Sequence, residues 1–311
     1  MVWRNLCLQH PCQEMPLYLR HKYLSLRFRA HLCMFSAHPA LSVVTDSWHE
    51  AFPDVAGFCS FNQMAKQLWP NDHFNASTPL IPNKPIWLIP RPTIDLRMQA
   101  YRHASNQTVI LQAYLSHLHG HYAHHTHIYI DGSTTTSRAG CGMYIPQSGN
   151  KTSIGLNKYS SVFTAELCGI VTALYWIFST KTRTSVIITD SLSALQAIQN
   201  VSWKKNPLIN TACLLYSNFT SAGFTIIMLW VPGHKGIVGN EIADRLAELS
   251  TTDVPQILQA DARVKNTTNT LPYPDMCQHL SDIYVKLWND YYRQCLTGTD
   301  CKSLFPIIHI Q

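Results

Sequence analysis

Between residues 125 and 250 apolar and polar positions fall into a regular order. Thr126–Ile130 alternates and runs into Asp131-Gly132, the pattern of a half-buried strand that enters a turn. Gly140–Pro146 and Lys151–Asn157 predict two further strands, joined by the turn Gln147-Ser-Gly-Asn150. Val162–Ser179 is predicted helical, because Phe163, Leu167, Ile170, Leu174 and Ile177 recur on one side. Ser185–Thr189 is a short, continuous apolar strand, of the kind buried in a sheet with helices on its faces. Helices at Ser191–Gln199 and Pro207–Ser221, a strand at Phe224–Val231, a Gly-rich loop at Pro232–Val238 and a helix at Asn240–Leu249 complete the series. The order β-β-β-α-β-α-α-β-α predicts an α/β fold, a five-stranded mixed sheet with helices on both faces, over residues 125–250.

The flanks carry weaker patterns. In residues 1–124 an amphipathic helix is predicted over Leu17–Phe35, with Leu19, Tyr23, Leu26 and Ala30 at helical spacing. Its other side holds Arg20, Lys22, Arg27 and Arg29, either a solvated basic face or one that contacts phosphates. Pro79–Pro92 has five prolines in 14 residues, which sustains neither a helix nor a central strand and reads as an extended linker. Six histidines follow between His117 and His127. With no Cys or carboxylate among them, they read as a metal-sticky linker rather than a closed zinc site. The N-terminal region is thus expected to be irregular apart from its helix. In residues 251–311 one helix is predicted around Leu280–Tyr292, after the turn Leu271-Pro-Tyr-Pro-Asp275.

Composition narrows the class. Hydrophobic residues make up 46% and charged ones 14%, enough to bury a core. The net charge of +6 is compatible with a polyanionic partner. Ten cysteines include no C-x-x-C pair and read as reduced thiols. Six N-x-[ST] sequons read as chance matches in a Ser/Thr/Asn-rich chain. No run of 18 apolar residues and no secretory leader pattern are apparent. The expectation is an intracellular protein of cytoplasm or nucleus, with no membrane partner and no inferable protein partner.

Acids are scarce in the central segment, and each needs a reason. Only Asp131, Glu166, Asp190, Glu241, Asp244 and Glu248 occur between 125 and 250. Asp131 is expected to end the first strand, Glu166 to lie in the first turn of a core-facing helix, Asp190 to end a buried strand and Asp244 to lie one turn into the last helix. Carboxylates so placed are costly to leave unpaired. Taken singly, each could cap a helix or sit at the surface. Taken together they repel one another, and a divalent cation resolves that, with hard oxygen ligands favouring Mg²⁺ or Mn²⁺ over zinc.

Four blocks, in this order, resemble type 1 ribonuclease H: His127-Ile-Tyr-Ile-Asp-Gly-Ser133, Phe163-Thr-Ala-Glu-Leu167, Ile188-Thr-Asp-Ser191 and Trp230-Val-Pro-Gly-His-Lys-Gly-Ile-Val-Gly-Asn-Glu-Ile-Ala-Asp244. The resemblance implies a ribonuclease H-like fold and an endonuclease acting on the RNA strand of RNA–DNA hybrids. It implies that Asp131, Glu166, Asp190 and Asp244 hold two Mg²⁺ ions, with Mn²⁺ able to substitute, and that His234 assists proton transfer and product departure. Gly233, Gly236 and Gly239 would let the His234 loop move, or simply make tight turns. Gly132, Ser133, Thr164, Ser191 and Asn240 are candidate substrate contacts, with Asn240 also read as the N-cap of the last helix.

Two departures from the cellular enzymes stand out. Residues 200–223 offer only Lys204 and Lys205 in place of a long basic helix, and Leu192 replaces a polar residue. Both imply weak grip on substrate. The flanks Pro16–Phe28, Pro85-Ile-Trp87, Leu271–Asp275 and Val285–Tyr292 resemble segments around ribonuclease H in non-LTR (LINE-like) retrotransposon polyproteins, and no Tyr/Phe-x-Asp-Asp polymerase motif occurs. The alternatives are a catalytically inactive remnant that binds hybrid, and a 3′–5′ exonuclease, which would want D-x-E where Asp131 is followed by Gly132 and Ser133.

Overall fold

The computed structural model describes residues 17–33, 88–200, 206–252 and 271–294. The chain divides into two units, one of Ser77–Asp275 and one of Met1–Ala76 with Met276–Gln311.

The larger unit is built on a mixed sheet of six strands rather than the expected five. β1 (Thr93–Asp95), β2 (Thr126–Thr134), β3 (Ala139–Ile145), β4 (Asn150–Leu156), β5 (Thr184–Thr189) and β6 (Thr225–Trp230) stand in the order β1-β6-β5-β2-β3-β4. β1, β6, β5 and β2 are mutually parallel, and β2, β3 and β4 form an antiparallel meander. The additional strand is β1, which pairs with the outer side of β6. It has three residues and follows prolines, so no alternation announces it. The parallel strands all end on one edge of the sheet, and that edge receives the acids.

Helices cover both faces, as expected. Successive strand residues point to opposite sides. Thus Cys141 of β3 meets Cys168 on α3 (Val162–Thr180), whereas a side chain on the next residue, Gly142, would run into the backbone of α6 (Val238–Ser250) at Ala243 and Ala247. That close approach is why β3 carries a glycine there. Ser161 caps α3, accepting a hydrogen bond from the Thr164 N–H at 3.2 Å, and Lys181 ends it in the left-handed conformation at φ 55°. Among the described residues α3 alone is long and apolar enough to cross a membrane. Its apolar surface is used in packing against β2, β3 and α5 (Pro207–Ser221). α4 (Leu192–Gln199) joins β5 to α5. Lys204 and Lys205 lie outside the described residues.

Residues 93–122, at the end of the region expected to be irregular, are part of this fold. After β1 come a 3₁₀ turn, Arg97–Tyr101, and a helix α2, Gln107–Tyr122. Asn106 caps α2, its side chain accepting from the N–H groups of Thr108 at 3.0 Å and Val109 at 3.3 Å. Ile110, Tyr114, Leu118 and Tyr122 form a buried stripe at four-residue intervals, and the Tyr114 hydroxyl meets that of Tyr129 at 2.6 Å. His117, His119 and His121 are therefore helical rather than part of a linker. Among the described residues the six histidines do not gather in threes around a common point. Pro79–Trp87 lies outside the described residues.

In the smaller unit, α1 (Leu17–Cys33) buries Leu19, Leu26 and Ala30 of the expected stripe and leaves Tyr23 half-buried. Arg20 and Lys22 are exposed, but Arg27 and Arg29 are half-buried, and the Arg27 guanidinium lies 5.4 Å from the centre of the Tyr23 ring. Residues 34 and 35 lie outside the described residues. α7 (Tyr273–Gln294), whose residues up to Asp275 belong to the larger unit, starts earlier than Leu280, because Pro274 occupies its first turn, where a missing N–H costs nothing. Within this unit Tyr23 and Tyr284 pack with ring centres 5.4 Å apart.

Candidate active site

Three carboxylates converge at the edge where the parallel strands end. Asp131 sits in β2, which does not stop there but continues to Thr134 as a hairpin with β3. Glu166 lies in the second turn of α3, not its first. Asp190 follows the last residue of β5. Asp131 and Glu166 are buried, Asp190 is half-buried, and one oxygen of each lies within 4.8 Å of the others. A side chain on Gly132 would run into the backbone at Ala165 and Glu166, and one on Gly233 would fall on the Asp190 carboxylate. Both glycines allow the elements to close on this point.

The polar partners are few. Asp131 accepts the Gly132 N–H at 2.7 Å, Glu166 the Thr189 hydroxyl at 3.5 Å, and Asp190 the Asn240 side-chain amide at 3.4 Å. Among the described residues no Lys or Arg forms an ion pair with the three. Burial, followed by the charges of Asp190 and Asp244, pushes the Asp131 carboxyl up to about 7. Burial and then the charges of Asp131 and Asp190 push Glu166 up as well. Asp190 is raised mainly by burial, against the opposing Asn240 bond and His234. The trio is thus an anionic pocket that resists its own ionisation.

Asp244 and His234 stand beside it. The His234 Nδ1 lies 3.6 Å from the Asp244 carboxylate, and the His234 side chain is 76% exposed. His234 adopts φ 52°, unusual for a residue with a side chain. Glu241, one turn before Asp244 on α6, joins these two in a second group with ligand atoms within 4.8 Å, and its Oε1 accepts the Gly236 N–H at 3.2 Å. Glu241 was not singled out in the sequence. Its signal is the three-residue spacing to Asp244, which places both on one helix face.

The candidate substrate contacts separate. Gly132, Ser133 and Ser191 are half-buried at the rim, with Ser191 at the start of α4. Asn240 is not an N-cap: Ile237 holds that position, and the Asn240 amide is turned onto Asp190. Thr164 is buried, and its hydroxyl is engaged by Ser161 and by the Asn206 amide at 3.2 Å. Beside it a further buried acid, Asp275, accepts the Ser161 N–H at 3.0 Å and the Ser161 hydroxyl at 2.8 Å. Burial raises the Asp275 carboxyl despite these bonds.

Residues 123–251 match the family model described as RNase H. Ribonuclease H1 of Mus musculus and of Rattus norvegicus are each 30% identical over 136 residues, which is 39% of this chain and 48% of theirs. The chain spans about half the length of the curated relatives it matches. Similar solved structures include RNase H1 from the archaeon Halobacterium salinarum NRC-1, at 18% identity and a TM-score of 0.34, covering 42% of this chain and 99% of that one. Another is the N-terminal RNase H domain of rv2228c from Mycobacterium tuberculosis, at 19% identity and 0.32, covering 40% and 94%. The match to that family model is confined to residues 123–251, and β1 and α2 lie outside the matched segment.

Proposed function

We propose that this RNase H domain hydrolyses the RNA strand of RNA–DNA hybrids, with Asp131, Glu166, Asp190 and Asp244 holding two Mg²⁺ ions that Mn²⁺ can replace. The observation that supports this most is the convergence of three carboxylates from β2, α3 and the end of β5, with no paired Lys or Arg among the described residues. Their all-oxygen donor set and mutual repulsion suit hard divalent cations. Such ions, when bound, supply an activated water and a stabilised leaving oxygen.

The chain's own residues do the rest. Asn240 fixes the orientation of Asp190, and Thr189 that of Glu166. His234, exposed on its loop and oriented by Asp244, exchanges a proton with the departing strand. Main-chain and hydroxyl groups at Gly132, Ser133 and Ser191 are open to read 2′-hydroxyls of the RNA strand. Thr164 acts from beneath, as part of the cap of α3.

The test is incubation of the purified chain with a labelled hybrid and Mg²⁺, beside Asp190→Asn. Cleavage of the RNA strand alone, lost with EDTA and in the variant, is expected. No cleavage by the folded chain in Mg²⁺ or Mn²⁺ would overturn the proposal, and hybrid binding without cleavage would identify a non-catalytic module.

On the resemblance of its flanks we also read the chain as derived from a non-LTR retrotransposon polyprotein. A reverse-transcriptase reading frame directly upstream in the genome would support this, and a host gene without one would contradict it.

A further inference from the structure

We infer that Gln107 is a positioning residue for the His234 loop, so that the stretch from β1 to the start of α2, outside the matched RNase H segment, works as part of the site. The inference rests on the role proposed above for His234. β1 and β6 are paired in parallel with Asp95 level with Leu229, so both strands leave the sheet at the same end, β6 towards Gly233 and His234. Asp95 fixes that departure. Its carboxylate accepts the Arg97 N–H at 3.0 Å, the Arg97 guanidinium at 2.8 Å and the Tyr122 hydroxyl at 2.6 Å, and lies 2.7 Å from His117 Nε2. Asn106 then starts α2, and Gln107 is its first residue.

From there the Gln107 side chain lies against Gly236. A Cβ placed on Gly236 would fall on the Gln107 amide nitrogen and lie 3.2 Å from Cδ and 3.5 Å from Cγ. Gly236 has φ 79° and His234 has φ 52°, two left-handed residues in one short loop. Gly236 adopts this conformation freely, whereas His234, which carries a side chain, keeps it only when its surroundings hold the loop. Glu241 holds Gly236 on one side through its N–H, and Gln107 packs on it from outside the matched segment. The exposed His234 ring forms no ion pair among the described residues other than the 3.6 Å approach to Asp244, so it does not anchor the loop itself. Shortening Gln107 removes one wall, and the fraction of chains with His234 in place falls.

The test compares the full chain with Gln107→Ala and Gln107→Met, the latter keeping the side chain's length. By amide hydrogen exchange, residues 233–237 of Gln107→Ala should exchange about fivefold or more faster, with α3 unchanged, and Gln107→Met should restore protection. On hybrid, kcat of Gln107→Ala should fall roughly three- to tenfold at constant KM, and Gln107→Met should recover it. Equal loop exchange in all three proteins would overturn the inference, as would faster exchange spread through α3. If the unchanged chain does not cleave hybrid, the proposed function fails, while the exchange measurement still decides the role of Gln107.

Discussion

Asp95 and Asp131 are aspartates of similar burial, 7% and 5% exposed, on parallel strands of one sheet, yet their surroundings treat them in opposite ways. Burial alone would push both carboxyls up. Around Asp95 that push is outweighed by hydrogen bonds from Arg97, Tyr122 and His117, which hold it well below the usual carboxylate range. Around Asp131 the strongest neighbours are other acids, and only the Gly132 N–H and a hydrogen bond with Glu166 oppose them. The first arrangement anchors a strand. The second stores repulsion, and stored repulsion in a pocket points to a ligand that relieves it.

The largest effect expected from breaking this contrast is on turnover. Asp131→Asn should lower hybrid cleavage by about a thousandfold or more, read as kcat/KM, because it removes a shared cation ligand. The same substitution should stabilise the metal-free protein by roughly 1–2 kcal/mol in urea melts, since a unit of pKa elevation corresponds to about 1.4 kcal/mol and part of it is relieved by relaxation.

Asp95→Asn should do the reverse, costing about 2–3 kcal/mol in the same melts, because it removes the negative charge and leaves one acceptor oxygen, with an NH2 donor in place of the other, to face Arg97, His117 and Tyr122. The figure sits below that of a fully buried ion pair, because the Arg97 side chain is 54% exposed.

Acidity should sharpen the contrast further. Burial and neighbouring acids push the Asp131 carboxyl from its ordinary 3.8 up to about 7, so between these the folded state holds the extra proton and stability falls as pH rises. Glu166 and Asp190 shift in the same direction. The melting temperature of the EDTA-treated chain should therefore drop between pH 5 and pH 7.5, and Mg²⁺ should reduce the drop. Asp95, depressed in the fold, contributes stability that is present above its ordinary value of 3.8 and is lost only as pH falls below it. Its replacement should leave the slope between pH 5 and 7.5 unchanged. The smallest effect belongs to Asn106→Ala, where loss of the cap on α2 should cost about 1 kcal/mol in urea melts.

The same two regions differ in how far the sequence revealed them. β2 to α6 were legible because strand alternation, an apolar β5 and a one-sided α3 leave little choice of element, and the acids then fall on one sheet edge by topology. β1 was not, since three residues after a run of prolines carry no periodicity. α2 was obscured by composition: its histidines suggested a linker, although Asn106 and the stripe Ile110, Tyr114, Leu118, Tyr122 were present in the sequence. The role of Asn240 could not be read because it depends on where α6 begins, and Val238 and Gly239 belong to the helix rather than to the loop before it. The acids of the candidate site were identifiable by residue type and order, whereas the groups that orient them are set by packing between elements distant in the chain.

The central claim is that the trio at the sheet edge holds divalent cations. Its most direct test is Mn²⁺ binding, followed by electron paramagnetic resonance at pH 7.5, for the unchanged chain and for Asp190→Asn. The account predicts binding by the unchanged chain and affinity at least about tenfold weaker in the variant. Binding of equal strength in both proteins, or none by the folded unchanged chain, would contradict it.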